Sequence, residues 1–391
     1  MADIVQPAVE GAASDGGTVD QLRFEPEELL ASHPGLEPVL AGDRLCHGGF
    51  DGDGRYVSPR TLHRVPAIAA WQQHHTQTFG TELVDIGLDQ FPGPYPNVEQ
   101  SRILIEAGLP EPVIATLTRI GTVEGFGAFL RYSMVPDLQR HFEEDIADTA
   151  LGHLDRGLIE AHARDEAGDP ASKAVGHDRM WFAARDLAFE DPVTVDETVL
   201  MLQRMGITPP GTTKVDPVAL RAAAMANRRL PDDIDFDLES LVDRMVRLVL
   251  IEISAFHTFI WAEALLGDPD LVAGEGRAGE IVSWIRSDET PHVDYLRTAL
   301  TELRERTVVG ASGRRYDGGE ILAAIWEPAV AEQRGQKRSE LLDATWREVR
   351  RVVEGRKDAA DLLERFDAAG TTHRRADGTW HDPTVAELTA A

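Results

Sequence analysis

The sequence has little cysteine and comparatively little positive charge. Cys46 is the only cysteine among 391 residues, which excludes an internal disulfide and a thiolate metal cluster. Lysine and arginine number 39 against 67 aspartates and glutamates, a formal net charge of −28. Such a surface repels nucleic acid phosphates and anionic lipid headgroups. Nucleic acid partners are therefore not expected.

Long apolar runs and a secretion signal are also lacking. Every stretch of eighteen residues contains an ionisable group, so neither a membrane-spanning segment nor a membrane partner is expected. The N-terminal stretch MADIVQPAVEGAASDGG lacks the basic and apolar regions of a signal peptide. Hydrophobic residues make up 42% of the chain, as in globular proteins. We expect a folded, soluble, cytoplasmic protein.

Composition divides the chain into four segments. Residues 1–22 are rich in Ala, Gly, Asp and Ser without apolar periodicity, which predicts a disordered tail. Residues 23–104 contain short helical patches between Gly/Pro-rich stretches and are predicted to form a capping segment; within them DGDG, from Asp51 to Gly54, predicts a turn. Long 3.6-residue periodicity over 105–305 predicts a mainly α-helical bundle with a long crossover at 190–235. Residues 306–391 are predicted to form a C-terminal helical extension.

Within the bundle the apolar pattern predicts four long helices and one shorter helix. The first two resemble the last two as a pair of helical hairpins. The predicted helices cover 112–132, a stretch ending near 169, 238–266 and 280–303, with the shorter one over 178–189.

The second hairpin contains acidic side chains on otherwise apolar stripes. At about 100° per residue, Glu252 shares the face of its helix with Leu248 and Phe256. A lone buried carboxylate is costly unless it is paired or bound to metal. Glu289 and His292 form a Glu-x-x-His pair on the core face of the next helix. A carboxylate and an imidazole on adjacent turns suit an Fe or Mn ion.

The first hairpin carries a related but less regular set. Glu124 lies on the apolar stripe of its first helix. In HARDEAGD the apolar face of the second helix continues through His162, Glu166 and Asp169. Laid on Asp-Glu-x-x-His of the fourth helix, this segment has Asp169 in the place of the histidine. Asp165, like Asp288 of the fourth helix, is predicted to orient a histidine.

The first hairpin and the short helix after it contain two alternative candidate metal ligands, Glu160 and His177. Glu160 follows Glu124 by 36 positions but points about 160° away from His162. His177 either folds back as a ligand or serves as a helix cap or core residue. If His162 and Glu166 are ligands, equal hairpin arms place the turn near Asp145, with the first helix continuing, kinked, through Pro136. If Glu160 is the ligand, the turn moves to about Phe142.

Residues 110–303 resemble the ferritin-like dimetal-carboxylate superfamily. Its members include fatty-acid desaturases, ribonucleotide reductase small subunits, bacterial monooxygenases and arylamine N-oxygenases. Glu252 and Glu289 are 37 positions apart, as the pattern requires, whereas Glu124 and Glu166 are 42 apart and Asp169 stands where histidine is usual. The resemblance implies a ferritin-like four-helix bundle that holds two metal ions, with His162 and His292 each binding one ion. The implied metal ligands are Glu124, His162, Glu166, Asp169, Glu252, Glu289 and His292.

The function implied by the resemblance is that of a non-haem di-iron oxygenase or oxidase. Two iron ions, or Fe and Mn, with O2 as cosubstrate would carry out N-oxygenation, hydroxylation or desaturation of a small organic molecule in a biosynthetic pathway. This function allows for an external electron donor and for a homodimer. The alternatives are a metal-binding or ferroxidase-type protein without an organic substrate, and a helical scaffold whose buried acids are hydrogen-bonded.

Overall fold

The computed structural model describes residues 21–132, 135–169, 172–189, 194–204 and 216–390. These residues are mainly helical, as the sequence predicts. The predicted tail over 1–22 lies outside the described residues except for its last two positions. Parts of the predicted crossover at 190–235 also lie outside them.

The N-terminal segment combines helices with a small antiparallel sheet. The sequence predicts only helical patches here, because the strands are too short to show a clear alternation of apolar and polar residues. In the predicted DGDG turn, between the second and third strands, the Asp51 carboxylate accepts a hydrogen bond from the backbone N–H of Arg55. The elements are α1 (Pro26–Leu29), β1 (Glu37–Ala41), β2 (Arg44–Phe50), β3 (Tyr56–Val57), α2 (Arg64–Phe79) and α3 (Val98–Glu106), with sheet order β1-β2-β3.

The central bundle is built on one long helical hairpin. Among the described elements, its two helices, α9 and α10, form the most extensive contact with each other, and α6 packs against both α4 and α10. Asp235 caps the N-terminus of α9 by accepting a hydrogen bond from the N–H of Asp237. The bundle elements are α4 (Glu111–Glu124), α5 (Ile159–Ala167), α6 (His177–Ala188), α7 (Val195–Arg204), α8 (Pro217–Ala226), α9 (Phe236–Leu266) and α10 (Arg277–Arg304).

The first half of the bundle is not the symmetrical hairpin that the sequence predicts. Helix α4 ends at Glu124 and continues as a 3-10 helix, Gly125–Tyr132, instead of running through Pro136. A second 3-10 helix, Leu138–His141, and a π-helical turn, Leu154–Leu158, precede α5. Gly125, directly after Glu124, and Gly127, two positions further on, weaken the α-helix. A Cβ on Gly127 would lie 2.2 Å from the Cβ of Glu166, so glycine permits this segment to contact α5.

Two apolar clusters fill the bundle. One contains Ile253 of α9 and Val293 of α10. The other contains Phe259 of α9 and Ile285 of α10, together with Trp181 of α6. On α10, Glu289 and His292 fall between Ile285 of one cluster and Val293 of the other, and on α9 Glu252 lies beside Ile253. The polar centre of the bundle is therefore enclosed by apolar packing on both sides.

The C-terminal part is helical apart from two short β-hairpins. Its first helices pack on the bundle, α11 against α9 and α10, and α12 against α4. Asp317 caps α11 by accepting a hydrogen bond from the N–H of Glu320. The elements are β4 (Thr307–Val309), β5 (Arg315–Asp317), α11 (Gly318–Arg334), α12 (Gln336–Val353), α13 (Ala359–Ala368), β6 (His373–Arg374), β7 (Trp380–His381) and α14 (Val385–Ala390).

Among the described residues, two helical stretches are long and apolar enough to cross a membrane by length and composition alone. They are Glu111–Leu130 and Phe236–Leu266, and about half of each is buried inside the protein. Core helices of soluble proteins have the same composition, and both stretches contribute to the apolar clusters described above. The structure is consistent with a soluble protein, while the cytoplasmic location stays a prediction.

Candidate metal centre

Two groups of carboxylate and imidazole side chains lie between the apolar clusters. Within each group, one potential ligand atom of every residue lies within 4.8 Å of the others. The glutamate of α5 belongs to both groups and so joins them. The first group contains His162, Glu166, Glu252 and His292, and the second contains Glu124, Glu166, His177 and Glu289.

The first group connects α5, α9 and α10 and holds two imidazoles. His162 Nε2 lies 3.1 Å from Glu252 Oε1 and 3.6 Å from Glu166 Oε1. His292 Nδ1 lies 3.4 Å from the same oxygen of Glu166. Both histidines are fully buried. Two ring nitrogens and two carboxylates therefore point at one small volume.

The second group connects α4, α5, α6 and α10 and holds three carboxylates and one imidazole. His177 Nδ1 lies 3.2 Å from Glu166 Oε1 and 3.0 Å from Glu289 Oε1. The other oxygen of Glu289 lies 2.6 Å from His292 Nδ1, so this carboxylate also touches the first group. Glu124, at the C-terminal end of α4, is the only partly exposed member. The second group is therefore the more acidic of the two and the closer to solvent.

In each histidine, the ring nitrogen that faces away from the glutamates contacts another polar side chain. His292 Nε2 lies 2.9 Å from Asp165 Oδ2, and His177 Nε2 lies 3.2 Å from Asp288 Oδ2. In the neutral form of each ring, a proton on Nε2 is donated to the aspartate, which leaves Nδ1 as a lone-pair donor toward the glutamates. The two aspartates directly precede Glu166 and Glu289 in sequence.

The third histidine is held by a tyrosine. His162 Nδ1 lies 3.1 Å from the hydroxyl of Tyr295 on α10. When Nδ1 donates its proton to that hydroxyl, Nε2 is left as the lone-pair nitrogen facing Glu252. In their neutral forms, all three imidazoles can thus present one unprotonated nitrogen to the acidic groups.

The N-terminal segment supports these aspartates from outside the bundle. The Arg60 and Arg64 guanidiniums both pair with Asp165, the latter with Nη2 2.9 Å from Oδ2. Burial alone would raise the pKa of Asp165, but the two arginines hold it well below its usual range. Asp288 instead accepts a hydrogen bond of 2.9 Å from the Tyr56 hydroxyl, and burial raises its pKa. The segment predicted as a cap therefore also positions the site.

The glutamates lie in an environment that disfavours their ionised form. Burial, followed by repulsion from Glu289 and Glu124, raises the pKa of Glu166 well above its ordinary value. Burial and the neighbouring Glu252 do the same to Glu289. Burial alone would lower the pKa of His177, yet the carboxylates of Glu166 and Glu289 raise it well above its ordinary value. A bound cation would offset this repulsion.

Several buried atoms of the two groups have no hydrogen-bond partner among the described residues. They are His162 Nε2, His177 Nδ1, Glu166 Oε1 and Glu289 Oε1. Buried polar atoms in folded proteins are rarely left without a partner. All four are atoms that approach the other members of the two groups. Imidazole nitrogen and carboxylate oxygen are the donors that Fe and Mn accept, so the residues present fit such ions.

The structure brings six of the seven predicted ligands into the two groups and leaves out Asp169. Because α5 ends at Ala167, Asp169 lies beyond the helix, where its carboxylate is 3.7 Å from Arg164 Nη1. Glu160, one of the two open alternatives, pairs with the same arginine at 2.6 Å and is in neither group.

The other open alternative, His177, stands in the second group in place of Asp169. His162 and His292, which were expected to bind one ion each, belong to the same group. The sequence contains a signal for His177, since it shares a helix face with the buried residues Met180, Trp181 and Ala184. The sequence contains no comparable local signal for Arg60 and Arg64.

A cavity of about 330 Å³ reaches the second group. Glu124 lies in its wall, and the side chains of Trp181 and Phe259 form an apolar face with their rings stacked 5.6 Å apart. A larger cleft of about 1250 Å³ lies between α12 and α13, but none of its lining residues belongs to the metal groups. The smaller cavity is therefore the one that concerns the site.

Comparison of the chain with protein-family models, curated proteins and solved structures found no match. The geometry of the site is therefore what supports a proposal of function.

Proposed function

We propose that the chain is an oxygen-activating dinuclear non-haem iron, or mixed Mn/Fe, oxidoreductase that acts on a small organic substrate. One observation carries the proposal. Two four-residue groups of imidazoles and carboxylates share Glu166 and contain buried ligand atoms that have no hydrogen-bond partner among the described residues. Ions held in both groups would share Glu166 as a ligand. A hydrogen-bonded scaffold would instead be expected to satisfy these atoms internally.

The distribution of ligands over the helices supports a ferritin-like arrangement. Glu124, Glu166, Glu252 and Glu289 come from α4, α5, α9 and α10, one from each helix. One glutamate per helix from two helical pairs is the ligand pattern of ferritin-like dimetal bundles. The departure from this pattern is His177, which comes from the additional helix α6.

The bound ions would supply the electrons that reduce O2, which protein side chains do not provide by themselves. The chain's own residues prepare the site. Asp165 and Asp288 hold the Nε2 protons of His292 and His177, which fixes the ring orientations. The apolar clusters on both sides exclude water. Burial of the glutamates leaves carboxylates whose charge a cation would balance.

The cavity beside Glu124 favours an organic substrate over ferroxidase activity alone. Oxidation of Fe(II) without an organic substrate requires only a path for ions. Here the wall next to the second group carries the aromatic rings of Trp181 and Phe259. An apolar-walled cavity with a few polar groups is typical of a site for a small organic molecule. N-oxygenation, hydroxylation and desaturation are the reaction classes we propose.

The test is O2 uptake by Fe(II)-reconstituted protein. Wild type should consume O2, and an organic substrate together with a reductant should sustain the uptake. Glu252→Ala should abolish uptake and metal loading while circular dichroism shows the helices retained. Glu263→Ala is the matched control, because Glu263 lies on the same helix but pairs with Arg286 and belongs to neither metal group. Equal O2 uptake by wild type and Glu252→Ala would contradict the proposal. O2 uptake that does not depend on any organic compound would contradict the part of the proposal that assigns an organic substrate.

A further inference from the structure

One arginine in the wall of the cavity that reaches Glu124 lacks a counter-ion among the described residues. Arg119 of α4 lines this cavity, and no carboxylate of the described residues lies within ion-pair distance of its guanidinium. Its Nε is buried without a hydrogen-bond partner among those residues. In a chain with a net charge of −28, a partly buried arginine that faces a cavity and has no acidic partner points to a missing anion.

The neighbouring cation in the wall is already neutralised. Arg338 donates two hydrogen bonds to Asp382, at 2.7 and 3.0 Å, and one of 2.8 Å to the Gly93 carbonyl. Burial, with a smaller effect of Arg338, lowers the pKa of Arg119 to about 10. Arg119 therefore still carries its charge at neutral pH and adds to the positive potential at this end of the cavity.

The other basic side chains of the wall also have partners. Lys337 Nζ lies 3.2 Å from Glu332, and His257 Nε2 lies 3.0 Å from the Leu88 carbonyl. Among the described residues that line this cavity, Arg119 is consequently the cation that is available to a ligand.

The positions of Arg119 and Glu124 in the cavity wall favour one orientation of a ligand. Arg119 and Glu124 are five residues apart on α4, which separates them by about 7.5 Å along the helix axis. An anionic group would be attracted to the Arg119 guanidinium, while Trp181 and Phe259 offer apolar contact. A molecule with one anionic end and one apolar end therefore places its apolar end toward the metal centre.

We propose that this cavity binds a small organic acid, whose carboxylate or phosphate group pairs with Arg119 and whose apolar body lies against Trp181 and Phe259. The identification of this acid as the substrate rests on the proposed function. Binding itself requires only the cavity and does not depend on metal. A bidentate pair with an oxyanion is the geometry that a guanidinium favours over an ammonium group.

The experiment measures ligand binding to the full-length, metal-free protein by isothermal titration calorimetry. The probes are benzoate, hexanoate and phenyl phosphate, with benzamide and hexanamide as neutral isosteres. We expect the acids to bind at least about tenfold more tightly than the amides, because a charged hydrogen bond is added. The comparison of benzoate with phenyl phosphate shows which oxyanion the cavity accepts.

Three variants assign the effect to Arg119. Arg119→Gln should remove the preference for acids over amides, and Arg119→Lys should retain part of it. Arg347→Gln, in the separate cleft beside α12, should bind like wild type. Because Arg119 has no acidic partner in the part of the chain that the structure describes, Arg119→Gln should fold with an unchanged or higher melting temperature.

The outcomes separate this proposal from the proposed function. Equal binding of acids and amides, or an unchanged acid preference in Arg119→Gln, would overturn the anion site even if two metal ions bind. Failure to bind metal, together with an acid preference that depends on Arg119, would overturn the dimetal function and leave the anion site in place.

Discussion

The imidazole rings of His162 and His292 stack face to face, with 3.8 Å between their centroids and 8° between their planes. The stack joins α5 to α10 and brings a nitrogen of each ring toward the same oxygen of Glu166. Burial, and then the adjacent His162, lower the pKa of His292 well below its ordinary value. His292 is therefore neutral and able to act as a lone-pair donor. The two groups are chemically unequal, since the second has one imidazole and three carboxylates.

Replacement of His177 should remove about one metal ion, because it is the only imidazole of the second group. The measurement is elemental analysis of His177→Ala after Fe(II) reconstitution. Asp169→Ala is the control and should keep the wild-type metal content, since its carboxylate faces Arg164. The reverse result would restore Asp169 as the ligand of this half.

The two histidine-orienting aspartates should differ in their effect on folding. Asp165→Asn leaves Arg60 and Arg64 buried without their shared carboxylate, which should cost about 3–5 kcal/mol of unfolding free energy. Asp288→Asn keeps an acceptor for Tyr56 and should cost about 1 kcal/mol. Urea unfolding of the metal-free variants gives both values. Equal losses would show that the arginines do not depend on Asp165.

Much of the second hairpin could be predicted from the sequence. Helices α9 and α10 each have a long, uninterrupted stripe of apolar residues. Glu252 and the Glu289–His292 pair could therefore be placed on the faces of these helices that point into the core. The first hairpin could not be predicted correctly, because the α-helix ends early at Gly125 and Gly127. The prediction that its two helices are of equal length on either side of the turn was therefore wrong.

The support from the N-terminal segment could not be predicted for a different reason. Arg60 and Asp165 are 105 positions apart, and their pairing depends on packing that no local pattern encodes. His177 could be predicted only in part. The sequence indicates that it lies on the buried face of its helix, but not that this face is turned toward Glu166.

A methyl group at Gly127 should displace the shared glutamate. The Cβ of an alanine there would lie 2.2 Å from Glu166 Cβ and 2.5 Å from its Cγ, so the backbone segment or α5 must move. We expect Gly127→Ala to cost about 1–3 kcal/mol and to lower metal content. Gly52→Ala meets no atom within 4 Å and is the control. Unfolding curves and metal analysis that match the control would mean that the segment does not pack on α5.

Glu302, on α10 beyond the metal groups, should make stability depend on pH. Burial raises its pKa from 4.5 to about 7. Between these values the folded protein binds more protons than the unfolded chain, so its stability falls as pH rises, by up to about 1.4 kcal/mol per unit.

Glu302→Gln lacks this titration but keeps one oxygen for the N–H groups of Ala150 and Leu151. The stability advantage of wild type over Glu302→Gln should therefore shrink between about pH 5 and about pH 7. A difference that stays constant over this range would show that Glu302 ionises at its ordinary pKa in the folded protein.

The central claim is that the two groups around Glu166 hold two metal ions, and metal stoichiometry tests it most directly. Fe(II) is added anaerobically to the metal-free protein, excess metal is removed, and iron per chain is determined by elemental analysis. We predict about two equivalents in wild type and a loss of both in Glu166→Ala, since Glu166 belongs to both groups. Less than roughly 0.3 equivalents in wild type would contradict the account.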